Sequence, residues 1–216
     1  MTKFVTRKTM ENEEDLQKTA HASVQKIKPY FEMYGSQNVY NSDESGFQLQ
    51  THSGRTLADG GSKEVSYIVQ SITSTTHSYT IQPTISADAK LLSPLFIVYK
   101  EPSGTFGSRV QKNLFRPSNI YVTASKSEKL TFEHFKIWLE EVFFPHVGPK
   151  NLLLIDSWSG HCSRVVEEVT PRNKELLTML IPKRTTGKIH PLDVYGFRIW
   201  KNIYPSFFRY GRSLES

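Results

Sequence analysis

Four consecutive apolar residues, Leu152-Leu153-Leu154-Ile155, run directly into Asp156. A short, unbroken apolar word of this kind fits a strand buried on both faces, as at the centre of a parallel sheet covered by helices. It commits the chain to an α/β arrangement and places an acid at the end of a buried strand. Two more aspartates close apolar words: Asp43 follows Asn38-Val39-Tyr40, and Asp193 ends Ile189-His190-Pro191-Leu192-Asp193. Buried carboxylates repel one another, so a fold gathering all three must neutralise them, most simply with a divalent cation. Magnesium or manganese suits such an all-oxygen set, and a pair of these ions is the usual machinery for cutting phosphodiester bonds.

The elements around that strand alternate. Asn12-Glu13-Glu14-Asp15 reads as a helix start, with a capping Asn and acids in the first turn. Leu16, Ala20, Val24 and Ile27 then recur at helical spacing up to Pro29, where the helix is expected to stop. A short strand over 38–42 delivers Asp43. Residues 54–63 read as a glycine-containing loop. Strands are expected at 67–72, 79–86 and 95–100, with Ala87-Asp88-Ala89-Lys90 as a turn. Residues 101–118 form a basic loop carrying Lys100, Arg109, Lys112 and Arg116 on or beside it. Thr131 caps a helix with Phe132, Phe135, Trp138, Leu139, Val142 and Phe143 on one face, ended by Pro145. After the 152–155 strand come a helical segment over 161–169, a strand over 176–181 and a loop over 182–188. Pro191 opens a last helix with Val194, Phe197, Trp200 and Tyr204 inward. This order predicts a mixed sheet flanked by helices, its later strands parallel. The domain division read from it is 1–30, a leading helix or linker, and 31–216, one α/β domain.

Charge and cysteine usage narrow the class. The net charge of +6 and pI near 9.3 are compatible with a phosphate backbone as partner. Cys162 is the single cysteine, so no intrachain disulfide forms. No apolar run reaches the roughly 18 residues that span a bilayer, and the start of the chain is charged without an apolar signal core. The expectation is an intracellular, soluble protein with no membrane association.

Four words in order carry a family resemblance. They are Asn41-Ser42-Asp43-Glu44-Ser45-Gly46-Phe47; Ser86-Ala87-Asp88 with Pro94-Leu95-Phe96-Ile97; Leu153-Leu154-Ile155-Asp156 with His161; and Thr185-Thr186 followed by Pro191-Leu192-Asp193. Together they resemble the catalytic domain of pogo/Tigger-type DDE transposases, over roughly residues 30–205. The chain departs from that pattern at Ser157, where Asn is common, at Pro182-Lys183-Arg184, where Pro-Pro is common, and at His190, where Gln is common.

The resemblance implies a ribonuclease H-like fold, with Asp43, Asp156 and Asp193 as catalytic residues and ligands of two Mg2+ or Mn2+ ions. It implies DNA as partner, a homo-oligomer assembled on that DNA, and a nuclear protein. Transposases of this group usually carry helix-turn-helix segments ahead of the catalytic domain, and the stretch before the first expected strand is too short for that unit. Three functions follow: a transposon-derived DNA endonuclease and strand-transfer domain; a catalytically silent, domesticated copy that binds nucleic acid or assembles with other chains; or a ribonuclease H-like nuclease with the same metal dependence acting on other nucleic acid.

Further residues are weighed against plainer roles. Glu44 adjoins Asp43, and neighbours on a strand face opposite ways, so Glu44 is expected to be exposed or to support the ligands. His161 is a candidate for orienting phosphate or water. Lys183, Arg184 and Lys188 precede Asp193 and are candidates for contacting DNA phosphates. Asp88 is an ordinary turn residue. Ser157 with His161 lacks the Gly-x-Ser-x-Gly elbow of a serine nucleophile. His161, Cys162 and His190 lack the paired spacing of a zinc site.

Overall fold

Asp156 ends a strand that the rest of the structure is built around. The computed structural model describes residues 13–48, 78–127, 130–156 and 163–200. Strand β7 (Lys150–Ile155) is buried from Asn151 onward, as its continuous apolar pattern requires. It lies parallel to β1 (Val39–Ser42) on one side and to β8 (Glu175–Leu180) on the other, and β4 (Thr84–Ser86) adds antiparallel to β1. A second four-stranded sheet has the order β2 (Ser45–Gln48), β3 (Ser78–Gln82), β5 (Leu95–Lys100) and β6 (Ile120–Ser125), with only the β5–β6 pair parallel.

The two sheets share one ribbon. Ser42 lies opposite Thr84 and Ser45 opposite Ile81. Three steps on one strand match three on the other, so the register is unbroken across the junction. Asp43 therefore falls opposite Pro83, and Glu44 opposite Gln82. Pro83 has no N–H to give the ladder, and the pairing lapses at this point. The expected single strand over 79–86 is accordingly two strands, β3 and β4.

Alternation along the strands sends side chains to separate cores. Tyr40, Leu153 and Ile155 face a cluster that also holds Phe96 and Val98 of the second sheet. That cluster is filled by helix α3 (Phe132–Ile137), the π-helical segment Trp138–Phe143 that continues it, and short α4 (Phe144–His146). Val39, Leu152 and Leu154 face the opposite way, under Ile27, Tyr30 and Tyr34 of α1 (Glu13–Tyr34). Helix α5 (Ser163–Val169) adds Val166 to the first cluster. The second sheet's other face, with Phe47, Ile81 and Ile97, is covered by Leu192, Phe197 and Trp200.

Local signals explain most element ends. Thr131 caps α3: its hydroxyl accepts from the His134 N–H, and its own N–H donates to His134 Nδ1 at 3.2 Å. A histidine thus takes the place of the usual Glu or Gln in a capping box. Helix α1 ends at Gly35, whose φ of 75° is the left-handed conformation that glycine adopts freely; its N–H donates to the Phe31 carbonyl.

Several expectations need correction. Helix α1 does not stop at Pro29 but runs through it and across residue 30 to Tyr34. Pro29 and Gln25 are both exposed, so the carbonyl left without a partner by the missing N–H meets water. Val24 and Phe132, read as inward, are exposed. The 101–118 loop contains helix α2 (Ser108–Asn113), and the 182–188 loop runs into helix α6 (Thr186–Ile189). The chain through Pro145 remains helical to His146. Strand β6 was not expected at all. The loop at 54–63, the strand at 67–72 and Tyr204 lie outside the described residues.

Candidate active site

Continuing the β1–β7 register past its last pair, Asn41 beside Leu154, sets Asp43 level with Asp156 on the adjacent parallel strand. Neighbouring strands lie about 4.8 Å apart, so ladder geometry alone brings the two acids together. Asp193 arrives from elsewhere. It sits in a π-helical turn, Leu192–Gly196, whose Leu192 is buried with Phe197 against the second sheet. Oxygens of Asp43 and Asp193 and a ring nitrogen of His190 all lie within 4.8 Å of one another.

The electrostatics report the same convergence. Burial pushes the Asp43 carboxyl up to about 7 from its ordinary 3.8; the charges of Asp193, Asp156 and Glu44 add to this, against a backbone hydrogen bond at Glu44 that opposes it. Glu44 also rises to about 7, through burial and then the charge of Asp156. Asp43 thus lies within electrostatic reach of Asp193, Asp156 and Glu44, and His190 within reach of both Asp193 and Asp156. Asp43, Glu44 and Asp156 line one small cavity with Gln82, and Leu130 and Phe135 form its apolar wall.

Of the two places expected for Glu44, it is half-buried beside the acids rather than exposed. Lys183, Arg184 and Lys188 are exposed on the connection from β8 through α6. His161, Ser157 and Cys162 lie outside the described residues. Asp88 is a turn residue, held by Ser86 and by Lys90 at 2.8 Å.

Two residues that the sequence analysis did not assign to the acid site complete the cluster. His190 is fully buried, and its Nδ1 lies 3.9 Å from Asp43 Oδ2. Asn41 is buried on the same face of β1 as Asp43, two positions earlier. Its Nδ2 lies 3.1 Å from His190 Nε2 and donates to the Leu154 carbonyl at 3.2 Å. Burial lowers the His190 pKa, outweighing the opposing charges of Asp193 and Asp156 and a hydrogen bond to the Ser42 backbone.

The donor set fits a hard divalent cation. The Asp43 carboxyl, held largely out of water and driven to about 7 by burial and its neighbours' charges, recovers its ionised form when a cation enters, while Asp193 stands exposed at the mouth of the cluster.

Two acids level on adjacent parallel strands, with a third on a helical turn beside them, form a cluster of carboxylates on a mixed α/β fold. The chain belongs to the DDE superfamily endonuclease family, whose model matches residues 77–206. Asp156 and Asp193 fall inside that match, and Asp43 precedes it. No curated protein sequence matches the chain. Among solved structures it is similar to a pre-cleavage Mos1 transpososome, at 10% identity and a TM-score of 0.51, over 99% of this chain and 59% of that one. It is also similar to the Mos1 mariner paired end complex with Mn, at 11% identity and a TM-score of 0.49, over the same shares. The chain thus spans about three fifths of those structures' length, and the first likeness establishes the fold. Among the described residues, no helix is long and apolar enough to cross a membrane.

Proposed function

We propose that this chain is the catalytic domain of a transposon-derived DNA endonuclease and strand transferase. In this reading Asp43, Asp156 and Asp193 together hold two divalent cations, Mg2+ or Mn2+. The observation that carries it is the Asp43 carboxyl, buried and raised to about 7 with the charges of Asp193 and Asp156 against it. A carboxyl held largely out of water beside other acids is costly to keep for structural ends alone. Membership of an endonuclease family supports the same conclusion.

Cations held in such a set supply activation of a water or 3′-hydroxyl and stabilisation of the leaving oxygen. The chain's own residues supply position. Asp43 and Asp156 are fixed by the β1–β7 ladder, and Asp193 by the packing of Leu192 and Phe197. Leu130, Phe135 and Ile155 form the apolar side of the cavity and limit water there. Exposed Lys183, Arg184 and Lys188 offer positive charge to the DNA backbone ahead of Asp193. DNA as substrate, assembly of a homo-oligomer on it, and residence in the nucleus belong to this reading.

A nicking assay on supercoiled plasmid tests it. Wild-type protein is expected to nick in Mg2+ or Mn2+ and not in chelator. Asp156→Asn is expected to lower the rate by about a thousandfold or more while leaving circular dichroism unchanged, the scale set by loss of a metal-ion contribution of several kcal/mol. Plasmid binding by the wild type without any metal-dependent nicking would instead identify a silent nucleic-acid-binding module.

A further inference from the structure

Asn41 dictates which nitrogen of His190 carries the proton. Its amide nitrogen donates to the Leu154 carbonyl at 3.2 Å, and the same nitrogen lies 3.1 Å from His190 Nε2. Turning the amide over would press Asn41 Oδ1 against the Leu154 oxygen, acceptor on acceptor, and bury both amide hydrogens where Oδ1 now lies without a partner. The amide therefore stays as it is, with one hydrogen for each acceptor. A donor facing Nε2 requires a lone pair there, so the ring is neutral with its hydrogen on Nδ1.

We propose that His190, locked by Asn41 as the Nδ1–H tautomer, is a positioning residue that offers a hydrogen-bond donor to the Asp43 carboxylate and withholds nitrogen from any cation bound there. Nδ1 lies 3.9 Å from Asp43 Oδ2, and about 1 Å of carboxylate movement brings the pair into hydrogen-bond range. Asn41 and Asp43 project from the same face of β1, so one strand both sets the tautomer and presents the acid that receives it. The consequence is chemical selectivity. With Nδ1 protonated, the cluster of Asp43, His190 and Asp193 offers carboxylate oxygens alone, which suit Mg2+ or Mn2+; a free imidazole nitrogen would suit Zn2+. This deepens the cation-binding reading above and rests on it for the selectivity, while the tautomer is measurable without any cation.

Long-range 1H–15N correlation spectra of the full chain, with the His190→Gln spectrum identifying the resonance, read the tautomer directly. The expected pattern is a protonated Nδ1 and an unprotonated Nε2, retained when diamagnetic ZnCl2 or MgCl2 is added. Asn41→Asp presents an acceptor in place of the donor, and is expected to reverse the pattern and tighten Zn2+ binding at least tenfold relative to Mn2+. Should that variant fail to fold, the wild-type spectrum still decides. A wild-type proton on Nε2, or a ring nitrogen shifting into coordination with either metal, overturns the proposal. The Nδ1–H pattern with no Mn2+ binding upholds the tautomer and sinks the two-cation reading instead.

Discussion

Replacing Asp43 by Asn should make the cation-free protein more stable, though it removes a residue proposed to be essential. The Asp43 carboxyl moves from 3.8 when unfolded to about 7 in the fold. A group whose folded pKa lies above its unfolded value binds its proton more tightly when folded. Its contribution to stability is then fully present below pH 3.8 and lost as the pH rises to about 7. At about 1.4 kcal/mol per pH unit, that interval corresponds to about 4 kcal/mol. The side chain is only 14% exposed, so solvent screening removes little of it. Asn carries no charge to lose a proton from, and Asp43→Asn is expected to gain about 2 to 4 kcal/mol over wild type at about pH 8 in chelator. Urea unfolding across the pH range checks it. Wild-type stability should fall between about pH 4 and about pH 7, with Glu44 contributing to the same fall, and the variant should fall less. Saturating Mg2+ should reverse the ranking, because a cation that binds only the folded acids stabilises wild type. A variant no more stable than wild type at about pH 8 in chelator would refute the reasoning.

Other perturbations read different parts of the structure. Asp193→Asn removes one of the charges that raise Asp43, so the Asp43 carboxyl followed by 13C NMR should titrate lower, though still above 3.8 because burial is the larger cause; an unmoved titration would separate the two acids. Leu153→Ala empties a fully buried position in the central strand and should cost about 2 to 5 kcal/mol in urea unfolding. Gly35→Ala forces a side chain into the left-handed conformation that ends α1, and a Cβ there would come within 2.8 Å of the Gln37 side chain; a loss of about 1 kcal/mol or more is expected from thermal unfolding.

What was legible in the sequence was whatever local pattern determines. The run Leu152–Ile155 announces a strand buried on both faces, and Thr131 announces a helix cap, because each signal is complete within a few residues. Asp43 and Asp156 were legible as strand-end acids for the same reason. Strand β6 was not: Ile120, Tyr121, Val122 and Thr123 are all half-buried at a sheet edge, so no alternation marks them, although their β-branched and aromatic character was a usable signal. Pro29 misled because a proline on a solvent-facing turn costs a helix less than packing of Ile27, Tyr30 and Tyr34 returns. Asn41 and His190 could not be paired from sequence, since 149 positions separate them and only the completed fold makes them neighbours.

Pro83 leaves a seam in the ribbon, and Asp43 sits on it. Asp43 and Asp156 belong to one sheet, whereas Asp193 is carried by Leu192 and Phe197, which lean on the other. The three acids are thus divided between two sheets that meet at one of them. Tilting one sheet against the other alters the reach from Asp193 to its partners and leaves the spacing within the Asp43–Asp156 pair unchanged. A substrate gripping both sheets would therefore, in the reading proposed above, tune the gap between Asp193 and the other two acids.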